Sequence, residues 1–376
     1  MNRTAAMAIA SAAVIGIVGG TYAATGPLDG KGTGGAADDS TGEPTSPSTG
    51  STGKPTKEPS TKPSSTATDS PNDQPATGQG DLLYMQGGTI HDGDTEVLVS
   101  GFRLGDVAGL HRVAGGWLVV EGTSDQEPSY DATFVDPDGE TTEIGSFFGA
   151  YDVNTDGDSI VAQFDESSRY EVRDARSGKI IQAMDMKVDG TPDGGASFGV
   201  GDLVVTAWRN TDQSVKLVGW NLYENAKLEL MDGMHAVGTA PQRNIVAGFD
   251  DRDPACLKGG SLFTEAPLWR NCDVRPWGML PLFSPDGLRI LGIPDDTEGF
   301  GPTRFEILDA RNGRKSGSVK APEFAEHAEW ATNDSVFVTG YQDTDMNGGV
   351  IYRCSLSGGC ETEVDSDQAV VLGSPG

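Results

Sequence analysis

Positive charge is scarce in this chain. Its 376 residues carry 27 Lys and Arg against 56 Asp and Glu, a formal net charge of −29. A surface this acidic repels phosphate backbones, which argues against nucleic acid as a partner. The excess acid solubilises the chain or, on a sharper reading, attracts cations or a basic partner. Histidine is equally thin: His91, His111, His235 and His327 are the full set, and no two lie close enough in sequence for a metal-binding pair. H-E-x-x-H and P-loop patterns are missing, so the common zinc and nucleotide signatures are excluded. Beyond residue 80 no stretch keeps a helical apolar period of useful length, which excludes an α/β domain.

What is present begins with an apolar leader. Residues 1–25 read MNRTAAMAIASAAVIGIVGGTYAAT, with Arg3 as the only charge. The segment fits a secretory signal with small residues Thr21 and Ala23 before a cleavage point, and its length also suits an uncleaved membrane anchor. It holds no Cys, so lipoprotein-type attachment is excluded. Either reading exports the rest and confines membrane contact to this segment. Residues 26–80 are rich in Ser, Thr, Pro and Gly and almost free of large apolar side chains. Such a composition cannot bury enough surface to offset chain entropy, so a disordered stalk is expected, extended by its prolines.

From Asp81 the texture changes to short β-type runs between Gly, Asp and Asn turns. One apolar strand recurs, starting at Leu82, Leu118, Ile160, Leu203, Ile245, Ile290 and Val336, at offsets of 36, 42, 43, 42, 45 and 46. A period near 40–45 with only strands between is the mark of four-stranded propeller blades. The clearest copy is Phe283-Ser284-Pro285-Asp286-Gly287-Leu288-Arg289-Ile290, in which Pro285 presets φ and Asp286-Gly287 suits a tight hairpin. A second turn recurs at 136–139, 174–178, 309–313 and 355–359, where the third and outer strands would meet. The spacing predicts an all-β fold, a seven-bladed antiparallel β-propeller over 81–376. The first unit lacks an inner strand. The spare strand Gln368–Gly373 is expected to supply it, closing the ring from the C-terminus. The expected core includes Leu118, Val119, Ile160, Val161, Val204, Ile245, Val246, Ile290, Leu291, Val336 and Phe337.

The Phe-Ser-Pro-Asp-Gly-x-x-Ile unit at 283–290 resembles the repeat of TolB-like and WD-type β-propellers. With its leader and stalk, the whole chain resembles exported actinobacterial propellers of that kind. The resemblance implies architecture and leaves activity open. It also departs from intracellular WD repeats, having no Trp-Asp dipeptide at strand ends and no Gly-His starts, so WD-type partners are not carried over.

The cysteines number four. In an exported chain an even count favours disulfides. Cys256 and Cys272 straddle one predicted outer hairpin, Cys354 and Cys360 another, and Cys256–Cys272 with Cys354–Cys360 is the natural pairing. A four-Cys metal site competes poorly, since the pairs fall in different blades without C-x-x-C spacing.

Asp152, Asn154 and Asp156 form D-x-N-x-D-G with Gly157, which resembles the calcium loop of integrin-type propellers; alternating oxygens around a Gly turn suit a hard cation. Two facts weigh against calcium. The ninth position is Ile160 rather than an acid, and the stretch is in register with Ser284–Gly287, where only hairpin geometry is needed. Asp343–Gly348 begins like an EF-hand loop, but its twelfth position is Cys354, and a hairpin loop is the simpler reading. No cofactor is otherwise expected. His111, His235 and His327 fall in or near predicted inner strands and could converge at a channel mouth. Trp277 and Trp330 are candidates for a channel rim, with core packing the default for all six tryptophans.

Two functions remain. The first is a non-catalytic extracytoplasmic binding or scaffold module for a protein or cell-envelope ligand at the channel face. The alternative is an extracytoplasmic propeller enzyme, a hydrolase or lactonase with a metal at the channel mouth. Converging carboxylates and imidazoles with an open position would favour the second.

Overall fold

The computed structural model describes residues 81–123, 129–164, 168–186, 188–250, 256–276, 282–297, 301–343 and 346–374. The leader at 1–25 and the stalk at 26–80 lie outside the described residues.

Every pairing between the described strands is antiparallel, and no α-helix occurs among the described residues. In the first sheet the order is Val370–Leu372, Leu83–Gln86, Thr89–Asp92, Thr95–Leu98. The C-terminal strand therefore supplies the inner position, with Val371 opposite Met85. Its continuation reaches further. Ser374 N donates to Leu110 O, and Arg112 N donates to Ser374 O, stitching the tail to the inner strand of the next sheet.

That next sheet is seven-stranded, from Val107–Val113 and Gly116–Gly122 through Ser129–Val135, Thr141–Val153, Ser159–Gln163 and Arg169–Asp174 to Ile180–Asp185. The repeat predicts two separate four-stranded units here, and the structure fuses them. Thr141–Val153 is the outer strand of one and the inner strand of the other, because no turn residue ends it. Gly145 and Gly149, at φ of 134° and 68°, take the bend that an L side chain resists.

Three four-stranded sheets follow. The first runs Thr191–Phe198, Leu203–Arg209, Val215–Asn221, Ala226–Asp232, and the second His235–Ala240, Ile245–Phe249, Leu257–Ser261, Trp269–Asn271. The last runs Ala325–Thr332, Ser335–Gly340, Gly349–Ser355, Cys360–Ser366. Between the second and the last sits a sheet with a split inner edge. Val274–Pro276 and Leu282–Phe283 both pair with Arg289–Pro294, followed by Arg304–Asp309 and Lys315–Lys320.

The recurring apolar runs are second strands throughout. They are apolar on both faces because each sheet is sandwiched between two others. Apolar clusters fill each wedge. Val161 and Tyr170 meet Phe198 and Trp208, Val205 packs with Val237 and Val246, and Phe305 meets Trp330. The last sheet meets the first where Phe337 and Ile351 pack on Leu372. All eleven expected core residues are buried, Ile245 being the most accessible at 7%. Radially stacked, mostly four-stranded antiparallel sheets, with the first completed from the C-terminus, make this a β-propeller.

Candidate functional site

The inner strands place three of the four histidines at the channel. His111 lies on Val107–Val113, His235 on His235–Ala240 and His327 on Ala325–Thr332. His111 Nε2 is 2.6 Å from the hydroxyl of Tyr151, on the neighbouring inner strand, and the rings meet edge-on with centroids 5.3 Å apart. The pair exists because residue 109 is glycine. A Cβ there would collide with the Tyr151 hydroxyl. Burial raises the Tyr151 pKa, so the phenol stays protonated and donates. His111 Nε2 is then the acceptor, which puts its proton on Nδ1. Burial pushes the His111 pKa down to about 4, with Glu329 and His327 close enough to act on it electrostatically.

His327 and Glu329 share a strand and meet at 3.2 Å. Burial opposes charge on His327, but its hydrogen bond to Glu329 and the charges of Glu329 and Glu326 outweigh it, so its pKa rises. The imidazole still keeps 42% of its side-chain surface accessible, as expected for a wet channel wall. The structure thus brings His111 and His327 within electrostatic reach and leaves His235 apart. His235 Nδ1 lies 3.7 Å from Asp193, which also accepts from Arg209 at 3.0 Å.

Asp152 is used differently from a calcium ligand. Its Oδ2 accepts from Ser197 Oγ and Phe198 N, both at 2.8 Å, across to the next inner strand. Thr239, one strand further on, donates to Phe198 O. Asp152 therefore brackets consecutive inner strands. Burial lifts its pKa to about 6 despite the hydrogen bonds from Phe198, Ser197 and Val153, which lower it. Asn154 Oδ1 accepts from Asp158 N and Ser159 N, each at 3.0 Å, inside its own turn. Asp156 is exposed at the tip. Ser284 has the matching duty, its Oγ accepting from Arg289 N at 3.0 Å, and Gly157 and Gly287 share a φ of 66°. The three candidates thus have separate duties and do not converge. In the loop at 343–348, Thr344 and Asp345 lie outside the described residues; Asn347 Nδ2 donates to Asp343. Among the described residues no group of three or more His, Cys, Asp and Glu is placed to hold a metal ion.

Both expected disulfides are present. Cys256–Cys272 closes the open end of the hairpin Leu257–Ser261/Trp269–Asn271, and Cys354–Cys360 joins directly opposed residues on adjacent strands. Trp330 is 3% exposed and donates to Leu282 O, so it is a wedge residue and not a rim residue; Trp277 lies outside the described residues. Sequence reasoning missed Tyr151, Glu329 and Gly109. Their inner-strand positions in the repeat were the available signal.

No protein-family model matches the chain, and no curated protein matches it. Solved structures do. An uncharacterized protein of Listeria monocytogenes EGD-e aligns at 9% identity and TM-score 0.46, over 73% of this chain and 92% of that one. KlAtg21, solved with the coiled-coil of AgAtg16, aligns at 13% and 0.48, over 75% and 92%. BamB from Moraxella catarrhalis aligns at 13% and 0.41, over 69% and 76%. The propeller assignment rests on the strand order described above.

Proposed function

We propose that the chain is an exported seven-bladed propeller that binds a protein or cell-envelope ligand at its channel face, without chemistry of its own. Counting seven blades treats Thr141–Val153 as shared between two of them. The apolar cluster that joins Leu118, Val120 and Phe134 of one half to Ile160 and Ala162 of the other supports this division. Export is supported by the two disulfides, which persist in oxidising compartments, and by the apolar leader. The leader serves as signal or anchor, and the linker at 26–80 as a stalk.

One observation carries the binding reading. Among the described residues, His111 Nδ1–H and the second carboxylate oxygen of Glu329 keep hydrogen-bonding capacity beyond their partners Tyr151 and His327. A neutral donor and an anionic acceptor on different inner strands suit a ligand that itself both donates and accepts, as peptide amides and sugar hydroxyls do. The Asp152 bracket holds the neighbouring strands in fixed register, which limits the ordering cost on binding. The test uses the immobilised full chain and a solubilised envelope fraction from the producing organism. A species retained by the native chain and by Tyr223→Ser, a substitution at an exposed turn, should fall at least tenfold with Glu329→Gln. Equal retention by all three, or none by the native chain, would refute channel-face binding.

A further inference from the structure

The outer strands form the rim that a neighbouring molecule meets first, and they differ in charge. Ala226–Asp232 reads AKLELMD, Cys360–Ser366 reads CETEVDS and Lys315–Lys320 reads KSGSVK. Lys315–Lys320 has two cations and no carboxylate. Including the preceding strand and turn, residues 304–320 hold Arg304, Arg311, Arg314, Lys315 and Lys320 against Glu306 and Asp309, five against two in a chain of net charge −29.

The cations are arranged. Glu306 is almost fully buried and meets Arg304 Nε and Lys315 Nζ, each at 2.5 Å, while those two side chains remain 47% and 51% exposed. Arg304 pairs across the strands with Lys320, and Glu306 with Ser318, so these four share one face. Leu308, on the same face, packs with Trp269 of the neighbouring sheet. That neighbour's outer strand, Trp269–Asn271, has only three residues. Small side chains fill the middle of the edge, and a Cβ placed at Gly317 would meet nothing within 4 Å. Among the described residues no strand pairs with the outer side of Lys315–Lys320. Lys320 O lies 3.6 Å from Cys360 Sγ of the last sheet, so the outward amides and carbonyls before it are the ones left for pairing.

We propose that Lys315–Lys320 is a docking edge for an extended acidic peptide segment of a partner protein, which adds to the sheet as a further strand. Backbone pairing would supply affinity, and Arg304, Lys315 and Lys320 would select the sign of the side chains. Elsewhere the acidic body repels such a segment. Within a Debye length of about 8 Å the basic face reverses that. A second copy of the chain is a poorer occupant, because it brings its own large negative charge. A phosphate polymer would use the cations and leave the backbone groups unpaired.

The full chain is titrated with a fluorescent Glu-Val-Glu-Val-Glu-Val peptide, with the same peptide N-methylated at alternate residues, and with polyphosphate. Binding of the first should weaken at least tenfold on N-methylation, and at least tenfold with Lys315→Glu/Lys320→Glu. Lys320→Gln, which leaves the Glu306 ion pairs intact, should lose several-fold and guards against misfolding of the double variant. Equal binding of the N-methylated peptide, or tighter binding of polyphosphate, would overturn strand addition in favour of charge alone. No peptide binding would also overturn the proposal, leaving the lysines as guards against unspecific edge pairing.

Discussion

At the residue scale, two half-buried groups at the channel are displaced in opposite directions. Asp152 is lifted to about 6 from 3.8, and His111 is lowered to about 4 from 6.5. For Asp152 the folded state holds its proton longer than the unfolded chain, so its contribution is full below pH 3.8 and is lost as pH rises through about 6. For His111 the unfolded chain binds the proton more readily between about 4 and 6.5, so stability rises with pH across that window. Between about pH 4 and 6 the two slopes nearly cancel. Asp152→Asn should therefore leave the His111 slope exposed, with a melting temperature that climbs from about pH 4 to 6.5. It should also exceed the native protein at neutral pH by on the order of 2 kcal/mol. His111→Gln should show the opposite, a fall from about pH 4 to 6. Parallel pH profiles for all three proteins would contradict this assignment. Asp152 was visible in the sequence as an oxygen-bearing residue beside a Gly turn. Its partners Ser197 and Phe198 lie 45 and 46 positions away, a distance at which spacing says nothing about which oxygen faces which strand.

At the element scale, hairpins and disulfides were the legible features. Ser284–Gly287 and its copies specify their turns locally, through Asp286 accepting from Leu288 N and the positive φ of Gly287. The two disulfides close loops with separations of 16 and 6 residues. Loop-closure entropy gives the longer one the larger effect, about 3 against about 2 kcal/mol. Cys256→Ser/Cys272→Ser should thus lower the urea midpoint more than Cys354→Ser/Cys360→Ser; the reverse order would show that native packing, not chain entropy, sets their contribution. The fused strand Thr141–Val153 was not legible. Its sequence carries Gly145 and Gly149 where an outer strand would pass to the next inner one, and only its pairing with both Ser129–Val135 and Ser159–Gln163 makes it continuous.

At the scale of the whole molecule, stability depends on joining the ends. Leu372 is 5% exposed and packs against Phe337 and Ile351, and Gly373 approaches Leu83 and Leu110 so closely that a side chain there would clash. Deleting residues 367–376 would remove this seam and uncover the edge of Leu83–Gln86. The melting temperature should fall by more than about 10 °C, on the scale of several kcal/mol for a domain of this size. An unchanged melt would mean that the terminal strand is not needed for closure. The sequence by itself determined the all-strand repeat, the hairpin turns, the cysteine pairing and the buried second strands. These follow from local backbone preference and from apolar runs repeating at a near-constant period, both written along the chain. Only the tertiary structure decided what stands at the channel. Gly109, His111, Tyr151 and Glu329 come from three inner strands far apart in sequence, and their meeting depends on how tightly neighbouring sheets are packed around the axis, a quantity that no single repeat encodes.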